Sequence, residues 1–313
     1  MSEMVMRFFN AVRLPAPIYY GSLRALGVPA VNRLLRDAGL ILCYHNIVQS
    51  DDDGAGDPGL HLSQERFERQ MRWLAGHYTM VPLSEFADRL AAGRSLRSVA
   101  AITFDDGYAG LFHHAGPILH ALGIPATVFL VAEAVGGSTG FWWDQPGIVE
   151  SITPTRRERW LKDLRGDGEA IMADAAPTES PRLPGSHWPA DWETIRAHFA
   201  CGIDIGVHSA THRSLPALTD AELEHEVVAS RAMVHRATGV WPVSFAYPYG
   251  HWNSRVRALV RSAGYRTALT LDRGLNGAAA DPWSLRRVNV PARISDAAFE
   301  AWAAGLHAAR RMG

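Results

Sequence analysis

The chain is short of cysteine, of net charge and of long apolar runs, and each scarcity removes a class of protein. Two cysteines among 313 residues, Cys43 and Cys201, sit beside apolar stretches without a framework pattern, so this is no disulfide-built miniprotein and a reducing compartment is permitted. Lys plus Arg number 31 against 32 Asp plus Glu, and a net charge of −1 provides no basic field to hold a polyanion. Nucleic acid is therefore not an expected partner. No apolar run reaches the ~18 residues of a membrane span. Residues 4–21 are largely apolar, but Arg13, Pro15 and Pro17 interrupt them and no small-residue cleavage site comes after, so the stretch does not read as a signal peptide. The expected location is the cytoplasm. Repeats of fixed period and low-complexity tracts are absent as well.

What the chain has is apolar mass and rhythm. Hydrophobic residues make up 47% of it, enough for a large core. At ~150 residues per domain the length suggests two domains, yet α/β barrels reach this size as one unit. Residues 1–39 carry Arg7, Arg13, Arg24, Arg33 and Arg36 among aromatics and leucines. This N-terminal helical segment suits either a strap packed on the neighbouring domain or an amphipathic anchor on a membrane surface. From residue 40 to 313, short apolar runs alternate with helical patterns, the signature of βα units around a parallel sheet. Strands are expected at 40–44, 79–83, 99–104, 126–131, 203–207, 243–247, 267–271 and 285–290, and eight strands with their helices suggest a (β/α) barrel. Thr219-Asp220-Ala221-Glu222 reads as a capping box opening a helix. Residues 141–200 break the rhythm. They hold no convincing strand, are rich in Trp, Pro and Arg, and read as an insertion on the barrel. The acidic loop 51–59 lacks the ligand pattern of a calcium loop and reads as solvated.

In parallel α/β folds chemistry gathers where strands end. Four expected strands end in polar clusters: Tyr44-His45-Asn46, Asp105-Asp106-Gly107-Tyr108, His208-Ser209-Ala210-Thr211-His212 and Tyr247-Pro248-Tyr249-Gly250. The i, i+4 spacing of His208 and His212 would place both imidazoles on one face of a helical turn, able to share a metal ion. A carboxylate suits the third position, and both Asp105 and Asp106 are candidates. Adjacent carboxylates also allow a division of labour, because neighbours leave a strand in different directions. One can bind metal while the other removes a proton from the attacking water, a chemistry suited to acyl hydrolysis. Phe141-Trp142-Trp143-Asp144 comes a short loop after the 126–131 strand; Trp142 and Trp143 could wall a sugar-binding cleft, and core packing explains them equally well.

At these residues the sequence resembles the polysaccharide deacetylases of carbohydrate esterase family 4, the NodB-homology domain. Thr103-Phe104-Asp105-Asp106-Gly107 is similar to the family's first motif, the 208–212 segment to its second and Phe245-Ala246-Tyr247-Pro248-Tyr249-Gly250 to its third. The resemblance implies a distorted or incomplete (β/α) barrel of that type with a helical insertion. It implies Asp105 as general base, Asp106, His208 and His212 as ligands of one divalent metal ion, and backbone near Tyr249 at the oxyanion. The metal expected is zinc, while cobalt, nickel or manganese would suit the same donors. Two departures stand out. Ala246 occupies the place where the third motif carries an arginine that pairs with the base, and Arg287, in a Leu285-Arg286-Arg287-Val288 segment like a late motif of the permuted poly-N-acetylglucosamine deacetylase branch, is the candidate replacement. The family's late histidine is missing too, and Cys43-Tyr44-His45 resembles that branch's early Tyr-His motif, making His45 the expected general acid. The implied partner is an N-acetylated saccharide, free or lipid-linked, and the implied activity is N-deacetylation. A deformylase, a cyclic amide hydrolase or an O-deacetylase would use the same motifs; a saccharide-binding module without turnover is the reading from another class.

Overall fold

Seven segments, most of their residues buried, form the parallel strands β1 (Ala38–Tyr44), β2 (Val99–Phe104), β3 (Ala126–Leu130), β4 (Ile203–Val207), β5 (Ser244–Ala246), β6 (Thr267–Arg273) and β7 (Leu285–Asn289). They belong to a computed structural model that describes residues 14–49, 55–176 and 183–307. Strands buried on both faces need cover on both, which is why such sequences build parallel sheets wrapped in helices. Each strand pairs with the next, and β1 pairs with β2 on one side (Leu40↔Ala100 to Tyr44↔Phe104) and with β7 on the other (Leu42↔Val288). The ring closes, as the barrel reading anticipates, and leaves no free edge within it.

Strand period two sorts the residues. Ile41, Ala101, Phe129, Ala246, Leu269 and Leu285 form one apolar cluster in the bore. Their neighbours Leu40, Leu42, Ala100, Ile102 and Val128 pack outward in the larger cluster shared with the helices.

The expected eighth strand is not a barrel strand. In the segment 79–83 only Thr79–Met80 pairs, against Val99 and Ala100, before β3 begins pairing with β2 at Ile102. Pro82 then removes a ladder donor and caps the helix Leu83–Ala91. Phe86 and Leu90 of that helix join the bore cluster and plug its N-terminal end.

The 141–200 stretch holds the helices Pro146–Ser151, Pro154–Lys162, Gly168–Ala175 and Trp192–Ala200 between β3 and β4, and its one β-bridge among the described residues links Pro189 to Tyr108. Thr219 and Glu222 do form the capping box, which opens the helix Asp220–Glu224. A π-turn, His225–Ala229, continues it and carries a buried Glu226. Of residues 1–39, those before 14 lie outside the described chain. The rest form the helices Ala16–Ala25 and Val28–Leu35, docked on the C-terminal helix Asp296–Ala303 through Tyr20, whose hydroxyl accepts from Trp302 Nε1 at 2.8 Å. Both cysteines are free, Cys43 buried and Cys201 exposed.

Candidate active site

The C-terminal ends of β1, β2, β4, β5 and β7 bring the residues singled out from sequence to one rim. Asp105 leaves β2 pointing into the bore in the same parity as Ala101 and Thr103. There it meets Arg287 of β7 in a fork: Nη1 donates to Oδ1 and Nη2 to Oδ2, each at 2.7 Å, with both residues essentially inaccessible to water. The fork is itself aimed. Arg287 Nε donates to the carbonyl of Thr270 (2.9 Å), where the β6–β7 register is irregular, and the guanidinium lies over the Phe129 ring. Burial alone would raise the Asp105 pKa, but Arg287 overrides it and holds the carboxyl well below the usual carboxylate range.

Asp106 turns the other way, because the chain there enters the left-handed region (φ 71°). Gly107 continues the turn (φ +78°), and a Cβ on it would come within 2.7 Å of the Leu130 side chain. Asp106 Oδ1 faces His208 Nε2 at 3.5 Å and His212 Nε2 at 3.4 Å, and the two ring nitrogens stand 3.2 Å apart. His208 Nδ1 donates to the Ala246 carbonyl (2.8 Å), which leaves Nε2 as the nitrogen with the lone pair. The expected helical turn is absent. His208 and His212 lie on an irregular loop, and left-handed backbone at Ser209 (φ 69°) and His212 (φ 64°) folds the second imidazole back on the first. Glu226 secures this loop by accepting from the backbone of Ala210 and Thr211, each at 2.9 Å, and Ser209 Oγ accepts from His212 N. Including Tyr249 (φ 57°), four of the seven non-glycine residues with positive φ among those described belong to this site, where strained backbone is commonly concentrated.

The arrangement fits a cation. Arg287 is committed to Asp105, so no positive group answers Asp106, whose buried Oδ1 has no hydrogen-bond partner. Burial, then the charges of Asp105 and Asp144, push the Asp106 carboxyl well up. Burial also lowers both histidines, His212 the further because His208 stands beside it, so neither imidazole brings charge at neutral pH. Three lone-pair atoms turned toward one another repel unless a cation joins them. Ligands of a tetrahedral ion at 2.0–2.1 Å sit about 3.3 Å apart, close to the separations found.

His45 comes directly after β1, and one of its ring nitrogens, a carboxylate oxygen of Asp105 and Cys43 Sγ all lie within 4.8 Å of one another. Burial, eased by Asp105 and deepened by Arg287, brings the His45 pKa down to about 4. Trp142, Trp143 and Tyr249 all border the cavity, whose volume is ≈ 90 Å³. His212 is gripped between two of them, with the Trp143 and Tyr249 rings each 4.5 Å from its own. Arg157, on the insertion, borders this cavity and also a wider neighbouring groove of ≈ 860 Å³.

Sequence reasoning missed the buttress behind Trp143. Its Nε1 donates to Tyr108 Oη (2.7 Å), Tyr108 donates to Asp144 Oδ2 (2.6 Å), and Asp144 Oδ1 accepts from His61 Nε2 and the Asp57 backbone, both at 2.9 Å. Asp144 is fully buried. An acid closing an aromatic run was the available signal. The solvated-loop reading of 51–59 also needs correction: residues 50–54 lie outside the described chain, but Asp57 reaches this buried hub and borders the cavity.

Known proteins point the same way. The profile described as polysaccharide deacetylase matches residues 92–268. YxkH of Bacillus subtilis (strain 168) is 23% identical over 268 residues, covering 84% of this chain and 75% of that protein. A Staphylococcus aureus poly-beta-1,6-N-acetyl-D-glucosamine N-deacetylase is 36% identical over 76 residues, only 24% of this chain and 26% of that one. Among solved structures, the Streptococcus pyogenes deacetylase PplD in complex with acetate superposes with a TM-score of 0.61 at 18% identity, covering 82% of this chain and 94% of the other. IcaB from Ammonifex degensii gives 0.61 at 21% identity, covering 86% and 98%. At such identities these two structures speak for the fold.

Proposed function

Since the chain belongs to the polysaccharide deacetylase family, whose members are hydrolases acting on carbohydrates, we propose that it removes N-acetyl groups from an amino sugar of a saccharide or a lipid-linked saccharide. The observation that carries this reading is the convergence of Asp106, His208 and His212 beside a carboxylate clamped by Arg287. Asp106 Oδ1, His208 Nε2 and His212 Nε2 would hold one divalent ion, zinc by the character of the donors, with cobalt, nickel or manganese also served. Such an ion supplies a Lewis acid for the acyl oxygen and lowers the pKa of a water.

The remaining work falls to the chain's own groups. Asp105, kept ionised and fixed in direction by Arg287, accepts the proton of the attacking water. His45 passes a proton to the departing amine, which cannot leave as an anion at neutral pH; with a pKa of about 4 it rests neutral, and the proton it passes on is the one Asp105 has taken from the water, Asp105 returning to its ionised form. Backbone at Tyr249 faces the oxyanion, and Trp142 and Trp143 wall the acyl group. The ≈ 90 Å³ cavity is about a tenth of the size of the neighbouring ≈ 860 Å³ groove, so the sugar itself lies outward, in the groove beyond Arg157.

Purified, metal-loaded protein should release acetate from N-acetylglucosamine oligomers in preference to formate from N-formyl analogues or acetate from O-acetyl esters. Formate release in excess would make it a deformylase, and metal binding without hydrolysis of any acylated sugar would make it a binding module. His212→Ala should sharply lower metal content by elemental analysis; wild-type content in that variant would refute the ligand set. His45→Ala should keep its metal and lose most amide hydrolysis while an activated ester, whose leaving group needs no proton, suffers far less. Equal loss on both substrates would remove His45 from proton transfer.

A further inference from the structure

Seven large hydrophobic residues are exposed among those described, and five of them lie between Ile18 and Leu35, on the two N-terminal helices: Ile18 (53%), Leu26 (64%), Val31 (42%), Leu34 (54%) and Leu35 (70%). Val31, Leu34 and Leu35 have i, i+3, i+4 spacing and form one outward stripe along the helix Val28–Leu35, with Leu26 at the turn leading into it. The opposite side of that helix is tied to the body of the protein. Pro29 and Asn32 are buried, and Asn32 Nδ2 donates to the Ala304 carbonyl at 2.6 Å. In the preceding helix Tyr19, Tyr20 and Leu23 are buried, and Arg24 pairs with Glu300 at 3.2 Å. The apolar stripe is thus presented by a fixed support.

Its charge is one-sided. Between Glu3 and Asp37 the sequence has five arginines and no acid; of the three that are described, Arg24 is answered by Glu300 while Arg33 makes no ion pair among the described residues. Arg36, exposed and next to Leu35, makes no ion pair among the described residues. We infer that this helical hairpin docks the protein on an anionic lipid bilayer surface, the leucine stripe entering the headgroup boundary and the arginines, Arg36 foremost, meeting lipid phosphates. Exposed apolar side chains flanked by the unpaired Arg36, with Asp37 turned to Ser95 Oγ and Leu96 N on the body, match an anionic interface. A second copy of the chain would be a poorer occupant: a two-fold contact through this patch would bring Arg36 towards its own copy, while Glu300 is already paired with Arg24 and Asp37 is held by Ser95 and Leu96. Five partly exposed side chains also fall short of the ~800 Å² per partner that a stable protein interface buries.

The full-length protein should co-sediment with vesicles of phosphatidylcholine plus phosphatidylglycerol, and much less with phosphatidylcholine alone. The double substitution Leu34→Glu/Leu35→Glu should lower partitioning by ~10²-fold or more, because two apolar side chains lose their burial. Arg36→Glu should lower it about tenfold on anionic vesicles only and reduce its salt sensitivity, because one screened attraction is gone. These side chains are exposed, so thermal melting should match the wild type. Wild-type protein that stays in the supernatant with both vesicles would overturn the inference, as would a double variant that binds like wild type. Light scattering that shows a wild-type dimer, dissociated by the double substitution, would assign the stripe to self-association instead.

Discussion

Asp105→Asn is expected to lower amide turnover by ~10²–10⁴-fold while the metal stays bound. The variant keeps the shape of the side chain and removes the basic lone pair, and Asp105 makes no approach to the His208–His212 pair closer than 3.8 Å, so the ligand atoms are left in place. The substitution also strips Arg287 of its counter-charge, and a buried charge left alone costs about 3–5 kcal/mol. Turnover must therefore be compared well below the variant's melting temperature. Metal content per chain and kcat, measured on the same preparation, decide the matter. Loss of metal together with activity would mean that the two aspartates have exchanged roles.

Arg287→Ala attacks the same pair from its other end and should cost about 3–5 kcal/mol in chemical denaturation, since it leaves the Asp105 carboxylate in the bore with only Cys43 Sγ (3.4 Å) as donor. Its kinetic mark is distinctive. With the guanidinium gone, burial dominates and the Asp105 pKa rises, so the acid limb of the pH–rate profile should move to higher pH. Arg287→Lys, a point charge that cannot fork, should recover part of the stability and little of the orientation. A profile unmoved in Arg287→Ala would show that the arginine does not set the charge state of Asp105.

The barrel was legible because its evidence is local and repeated. Most of the seven strands are short apolar runs, and four of them end in polar residues that an ordinary strand end would not need. The segment 79–83 misleads because two paired residues and a proline look, in one dimension, like a short strand. The spacing of His208 and His212 brings the right residues forward for the wrong reason: their meeting depends on positive φ at Ser209 and His212, which no helical periodicity reports. Arg287 could be nominated only by resemblance, for its partner lies 182 residues away. Glu226 had no signal beyond its place in a helical pattern, since what makes it structural is a loop on another strand.

Asp144 ties the loop at Asp57 and His61, the β2 turn at Tyr108 and the wall at Trp143 to one buried carboxylate. Lifting the loop or the turn leaves that carboxylate short of a donor, and lifting Trp143 leaves Tyr108 Oη short of one, in a place water does not reach, so the roof cannot be raised piece by piece. Traffic must then run sideways. Under the proposed function, reactants and products pass Arg157, which lines both the site and the ≈ 860 Å³ groove, and the site is an alcove off a corridor, with a threshold and no door.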